Sequence, residues 1–167
     1  MDPDYIILDN VFTEQWCTEF IEHYCGNELQ VPPPDPFGQN KDRYARYDFV
    51  DKELAKQIHI VLTRYIDTTG TKVSHRFYMN KYYPNVSGIG KHVDGQITDS
   101  QGHPSVRTIL IYLNACSGDT MLYNTNYSAN VSPKPGRVLL LKQDVLHEGL
   151  PPSDTHKFIL RTDLIKV

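Results

Sequence analysis

Apolar residues recur four apart at Trp16, Phe20 and Tyr24, and again at Leu54, Ile58 and Leu62, the spacing of one buried helical face. This pattern predicts a first helix across WCTEFIEHYC, with Thr13 as N-cap and Glu14 in the first turn, and a second across VDKELAKQIHIVLTRYI. Ahead of them, YIILDNVF reads as a short strand or extended lead-in. Between them, VPPPDPFGQN (31–40) fixes several backbone angles and lacks amide donors, so it is expected to be a loop or boundary. After Gly70 the pattern changes. HRFYMNKYY, SVRTILIYLN, GRVLLL and HKFILRTDLIKV are short β-favouring runs punctuated by Gly, Pro, Asn and Asp. They predict antiparallel strands closing around a core and flanked by the two helices, a mainly β fold of the sandwich or distorted-barrel kind. GQITDSQGHPS reads either as a loop beside a catalytic mouth or as a plain surface hairpin.

The length, 167 residues, fits one domain over 1–167, with 1–70 mainly supporting helices and loop and 71–167 most of the β core. With 17 Lys and Arg against 20 Asp and Glu, the net charge of -3 argues against a broad nucleic-acid-binding surface. No apolar run reaches bilayer-spanning length and the start lacks a signal-peptide pattern, so a cytoplasmic or otherwise intracellular protein with no membrane partner is expected. Cys17, Cys25 and Cys116 form an odd set without a CxxC pair, which disfavours a disulfide scaffold and a four-cysteine zinc site.

The sharpest chemical pattern is His92-Val93-Asp94. Residues i and i+2 of an extended segment face the same way, so the imidazole and carboxylate can meet on one metal. His147, 55 positions later in DVLHEG, follows the apolar GRVLLL run, where a returning strand would bring it to the pair. Two histidines and one carboxylate are the donor set favoured by non-haem Fe(II), because they fix one face and leave three positions open. On the last strand Lys157, Ile159, Arg161 and Asp163 share a facing parity, so two cations are candidates to point inward and Asp163 to orient one of them. Glu148 is a candidate to orient the metal site, whereas His23, His59, His75 and His103 lack a second ligand at useful spacing and His156 faces opposite Lys157 on an extended strand. In RTILIYLN, Thr108, Leu110 and Tyr112 share one face and Ile109, Ile111 and Leu113 the other.

KYYPN before HVD, RTILIYLN after it, the SGDT turn, PKPGRVLLL, and LHEG followed by KFILRTDL together resemble the iron- and 2-oxoglutarate-dependent dioxygenases, in particular their prolyl 4-hydroxylase-like branch. The resemblance covers residues 74–167, and TEQWCTEFIEHYC looks like that family's N-terminal supporting helix. It implies a double-stranded β-helix (jelly-roll) core with His92, Asp94 and His147 as catalytic iron ligands. It also implies a cation on the final strand that grips the distal carboxylate of 2-oxoglutarate. Lys157, ten positions after His147, matches that anchor, and Arg161 competes because its planar fork can hold a carboxylate through two bonds. Tyr82 corresponds to a tyrosine lining the cosubstrate pocket. Tyr112 is a further contact, one position later than the family's usual tyrosine, where this chain has Ile111; Tyr78 stays open as an alternative.

The activity so implied is hydroxylation of a substrate C–H bond with release of succinate and carbon dioxide. Its cofactors would be Fe(II) and 2-oxoglutarate, with molecular oxygen as cosubstrate and ascorbate as a stimulant. A prolyl residue in a peptide or protein is the first-choice substrate, with residues 31–49 and 95–106 as the regions to search for selectivity. Alternatives are a hydroxylase of a free amino acid or small metabolite, an AlkB-like nucleic-acid demethylase, a cupin-like metal enzyme, and a catalytically inactive interaction module.

Overall fold

The computed structural model describes residues 2–25, 44–85 and 88–167. In chain order the elements are β1 (Tyr5–Leu8), α1 (Glu14–Cys25), β2 (Tyr44–Val50), α2 (Lys52–Leu62), β3 (Thr71–Val73), β4 (Arg76–Tyr82), β5 (Ile89–His92), β6 (Ser105–Tyr112), β7 (Thr120–Asn124), β8 (Tyr127–Val131), β9 (Val138–Lys142), β10 (Leu146–Gly149) and β11 (Lys157–Lys166). Both helices begin where a side-chain oxygen satisfies a first-turn amide. Thr13 Oγ1 accepts from Trp16 N at 3.1 Å, and Asp51 Oδ1 accepts from Leu54 N at 2.9 Å.

The strands form two antiparallel sheets. The larger has the order β1-β9-β6-β11-β4-β2, with β3 added against β11, and the smaller has the order β5-β10-β7-β8. Alternation of side chains along the large sheet divides the core in two. Ile109 and Ile111 of β6, Val138 and Leu140 of β9, and Leu160 and Leu164 of β11 pack with Leu54, Ile58 and Leu62 of α2, joined by Trp16 and Phe20 of α1. Leu110 and Tyr112, Leu139 and Leu141, and Ile159 face the other way, against Leu122 and Val131 of the small sheet. This is why GRVLLL reads as a continuous apolar run rather than an alternating one: β9 is buried on both faces. The result is the jelly-roll core with supporting helices, layered as helices, large sheet and small sheet.

The structure refines the sequence reading at several places. Residues 44–49 of the region named for selectivity belong to the edge strand β2, paired with β4, rather than to a loop, and Arg46 of that strand lines a cavity. The charged positions of β2, Arg46 and Asp48, interrupt the apolar signal, while Phe49 stacks on Phe77 and on Tyr24. The hairpin of β7 and β8 was unmarked because polar residues interrupt each five-residue strand and no long apolar run results. The segment 95–105 is the plain hairpin of the two alternatives: Thr98 bridges Pro104, and Asp99 caps the turn by accepting from the amides of Gln101 and His103. The second helix is shorter than its periodic pattern and ends at Leu62. The proline-rich 31–40 segment lies outside the described residues, as does the Cys25 side chain; Cys17 and Cys116 are free thiols. No described helix is long and apolar enough to cross a membrane.

Candidate metal centre

β5 and β10 are neighbours in the small sheet, and their register sets His147 directly opposite His92. The two imidazole rings lie 4.3 Å apart between centroids. Asp94 stands two residues further on, past the end of β5, and its carboxylate lies between them: His92 Nε2 is 3.6 Å from Oδ1 and His147 Nε2 is 3.6 Å from Oδ2. One donor atom from each of the three residues falls within 4.8 Å of the others, making this the group able to hold a metal among the described residues.

The backbone fixes which nitrogen of each histidine is available. His92 Nδ1 is 2.7 Å from the Gly90 carbonyl oxygen, and His147 Nδ1 is 2.9 Å from that of Val145. A carbonyl only accepts, so each Nδ1 carries the proton, and in the neutral ring each Nε2 keeps its lone pair for the space beside Asp94. Burial lowers the His147 pKa, which favours that neutral form. His92 is drawn the other way, upward, by its contact with the Asp94 carboxylate. Burial alone would raise Asp94, but its contacts with His92, Arg161, His147 and Thr108 hold it well below the ordinary carboxylate range. The donor set is therefore one anionic oxygen ligand and two Nε2 lone pairs, and it fits a divalent transition metal with open positions.

The triad opens on a cavity of about 70 Å3 lined also by Arg46, Tyr78, Asn80, Tyr82, Ile89, Leu110, Thr120, Gly149, Ile159 and Arg161. Tyr82 faces inward and is buried, whereas Tyr83 points out beside His156, as strand alternation requires. Lys157, Arg161 and Asp163 all face inward, but they occupy different positions. Arg161 lines the cavity and its Nη2 is 3.3 Å from Asp94 Oδ1. Lys157 is fully buried behind the wall, next to Gly149 and 4.7 Å above the Tyr82 ring. Its Nζ donates to the carbonyls of Gly118 at 2.8 Å and Leu150 at 2.7 Å, which leaves one of three N–H groups for a ligand. Burial among neutral partners pushes its pKa down to about 8. Gly118 permits this arrangement because its φ is +90° and a Cβ there would lie 2.7 Å from the Leu150 carbonyl oxygen.

Tyr112 does not line the cavity. Its side chain is fully buried and its hydroxyl donates to Thr120 Oγ1 at 2.7 Å, so it reaches the cavity only through Thr120. Glu148 alternates with His147 and turns away, accepting from the Tyr123 hydroxyl. None of residues 95–106 lines the cavity, because that hairpin borders a separate groove beside Lys72 and Arg76. Sequence reading weighed Asn80 as a polar pocket contact, and it does line the cavity, but did not single out Arg46, Thr108 or Thr120 as site residues. Thr108 carried a usable signal: it is a polar residue in a β-run at the parity of the cavity-lining Leu110.

No protein-family model matches the sequence, and a search of curated proteins gives no match. Solved structures do match. A viral collagen prolyl hydroxylase of Paramecium bursaria Chlorella virus-1, determined as a 2OG complex, superposes with a TM-score of 0.73 at 16% identity, covering 99% of this chain and 97% of that one. A prolyl hydroxylase of Trichoplax adhaerens, in complex with a hypoxia inducible factor peptide fragment, gives 0.75 at 16% identity over 98% of this chain and 84% of its own. HygX of Streptomyces hygroscopicus, with nickel, 2-oxoglutarate and hygromycin B bound, gives 0.68 at 12% identity over 98% and 83%. The fold of this chain is thus the jelly roll of the prolyl hydroxylases and of other 2-oxoglutarate oxygenases, matched along almost its whole length.

Proposed function

We propose that the chain is an Fe(II)- and 2-oxoglutarate-dependent oxygenase that hydroxylates a substrate C–H bond, with a prolyl residue of a peptide or protein as its substrate. The observation that carries this reading is the convergence of His92 Nε2, His147 Nε2 and the Asp94 carboxylate at the end of one cavity, both imidazoles held in the ligating tautomer by backbone carbonyls. Bound there, Fe(II) and 2-oxoglutarate supply the oxidation by dioxygen that yields succinate, carbon dioxide and a hydroxylated product.

The chain's own residues have separable tasks. His92, Asp94 and His147 hold the metal and are not free to act as general bases. Lys157 anchors the distal carboxylate of 2-oxoglutarate through its remaining N–H, and Tyr82, against which it packs, forms part of the same wall. Tyr112 holds Thr120 in orientation toward that carboxylate. Ile89, Leu110 and Ile159 line the cavity with apolar surface and limit water near the reacting atoms. The peptide reading draws support from the Trichoplax neighbour, whose structure contains a peptide. A small-molecule substrate is the second reading, favoured by the narrowness of the cavity and by the HygX neighbour with its bound hygromycin B.

An anaerobic titration with Fe(II), with and without 2-oxoglutarate, tests the reading. A visible metal-to-ligand charge-transfer band that needs both additions and disappears in His92→Ala is the expected result. Its absence in folded, metal-competent protein would overturn the proposal. Succinate release screened over proline-containing peptides and free amino acids then separates the two substrate readings.

A further inference from the structure

We propose that Arg161 is the positioning residue for the Asp94 carboxylate, held in place by a buried polar row of Asp163, Gln143 and Ser105, and that it does not anchor the cosubstrate. The proposal rests on the metal centre proposed above. Ser105 Oγ donates to Gln143 Oε1 at 2.6 Å, and Gln143 Nε2 donates to Asp163 Oδ1 at 3.1 Å. Arg161 Nη2 lies 3.9 Å from that Asp163 oxygen and 3.3 Å from Asp94 Oδ1. A continuous row of polar groups therefore runs from the start of β6 through the end of β9 and across β11 to the metal-site carboxylate.

Ser105 at the far end has a fold role, since its Oγ accepts from the Ile97 amide at 2.8 Å in the 95–105 hairpin, but fold stability does not account for the Arg161–Asp163 end of the row. Ser105, Gln143 and Asp163 are all buried and none lines the cavity of the metal centre. Arg161 Nε and Asp163 Oδ2 are buried without a hydrogen-bond partner, and a buried charged pair so incompletely satisfied is no more stabilising than apolar residues of the same volume. Orientation of Asp94 does account for it. Asp94 lies beyond the last residue of β5 and has no strand ladder to fix it. Instead, Thr108 Oγ1 donates to Oδ2 at 2.6 Å and Arg161 faces Oδ1, so both oxygens have a partner before a metal arrives. A carboxylate held in this way meets the two Nε2 atoms without reorganisation and resists turning to chelate with both oxygens. The cavity face of Arg161 packs 5.3 Å from the Tyr78 ring, which limits its swing.

Calorimetric titration with Co(II) tests this without relying on turnover. Arg161→Gln combined with Asp163→Asn removes the pair without leaving a lone buried charge. It is expected to weaken Co(II) binding about tenfold or more, the usual cost of losing a group that orients a metal ligand. Gln143→Leu, which touches neither Asp94 nor the cavity, is expected to weaken Co(II) binding by less, and Arg161→Lys to restore part of the loss. At saturating metal, the double variant should keep the wild-type affinity for 2-oxoglutarate. Wild-type Co(II) affinity in the double variant would overturn the positioning role. Loss of 2-oxoglutarate affinity at metal saturation would instead make Arg161 the cosubstrate anchor and overturn it equally. Failure of the wild-type protein to bind Co(II) would remove the metal centre itself, an outcome distinct from both.

Discussion

Lys157 and Arg161 stand four residues apart on one strand and face the same interior, yet their surroundings differ in kind. Around Lys157 the acceptors are neutral, two backbone carbonyls and an aromatic face, and among the described residues no carboxylate is within ion-pair distance, Asp119 acting on it from further away. Around Arg161 they are anionic, Asp94 on one side and Asp163 on the other. A buried ammonium with only neutral partners is short of negative charge and suits a dicarboxylate ligand. A guanidinium already flanked by two carboxylates has its charge compensated before any ligand arrives. Strand parity made the cations equivalent; their neighbours give them different work.

The difference is open to attack from several sides. Removing the ammonium should have the largest effect: Lys157→Met is expected to lower 2-oxoglutarate affinity on the order of 100-fold, the worth of a buried charge-assisted hydrogen bond, while leaving Co(II) affinity unchanged. Isothermal titration of each ligand in turn separates these outcomes, and a fall in Co(II) affinity would show that the lysine also shapes the metal centre.

Titration of the same group gives a somewhat smaller signal. Lys157 has a pKa of about 8 when folded against an ordinary 10.5, so above pH 8 the folded chain sheds a proton that the unfolded chain retains. Its unfavourable contribution is present in full below pH 8 and is relieved as pH rises toward 10.5. Relative to Lys157→Met, the wild type should gain about 2 kcal/mol in urea-unfolding stability between pH 7 and pH 10. Over the same range its 2-oxoglutarate affinity should fall, since the neutral amine grips a carboxylate poorly. A flat difference between the two proteins would mean that the ammonium is not buried in solution.

Tyr112→Phe tests the wall between the two cations. It removes the hydroxyl that donates to Thr120 and is expected to cost about 1 kcal/mol in stability, with a rise in the KM for 2-oxoglutarate and little change in kcat. A change in kcat alone would contradict a role confined to the cosubstrate wall. The smallest effect belongs to the edge strand. Asp48 pairs with Arg46 at 2.7 Å, but both side chains are more than a third exposed, so Asp48→Asn should move the thermal midpoint by the equivalent of less than about 1 kcal/mol. A larger shift would indicate that this pair behaves like the buried one at Arg161.

Much of the scaffold was written in the spacing of apolar residues. Trp16, Phe20 and Tyr24, and Leu54, Ile58 and Leu62, do form helical faces against the large sheet. RTILIYLN splits as its alternation requires, Ile109 and Ile111 toward the helices and Leu110 and Tyr112 toward the small sheet. The strand β2 escaped because charged Arg46 and Asp48 interrupt its apolar signal, with Phe49 turned to the core beneath the helices and Arg46 to the cavity. The metal triad was legible as well, since His92 and Asp94 differ by two positions and His147 follows a strong strand.

The sequence by itself determined which side chains alternate onto which face, because the two-residue period of a strand is local backbone geometry. It thereby determined that His92 and Asp94 share a facing, and that Lys157, Arg161 and Asp163 share one. Only the tertiary structure decided that these faces point inward and what each side chain meets there. Register placed His147 opposite His92, carbonyls of Gly90 and Val145 chose the imidazole tautomers, and two loops 32 residues apart brought Gly118 and Leu150 to Lys157. Partners of this kind come from residues distant in the chain, and a pattern confined to neighbours along it carries no record of them.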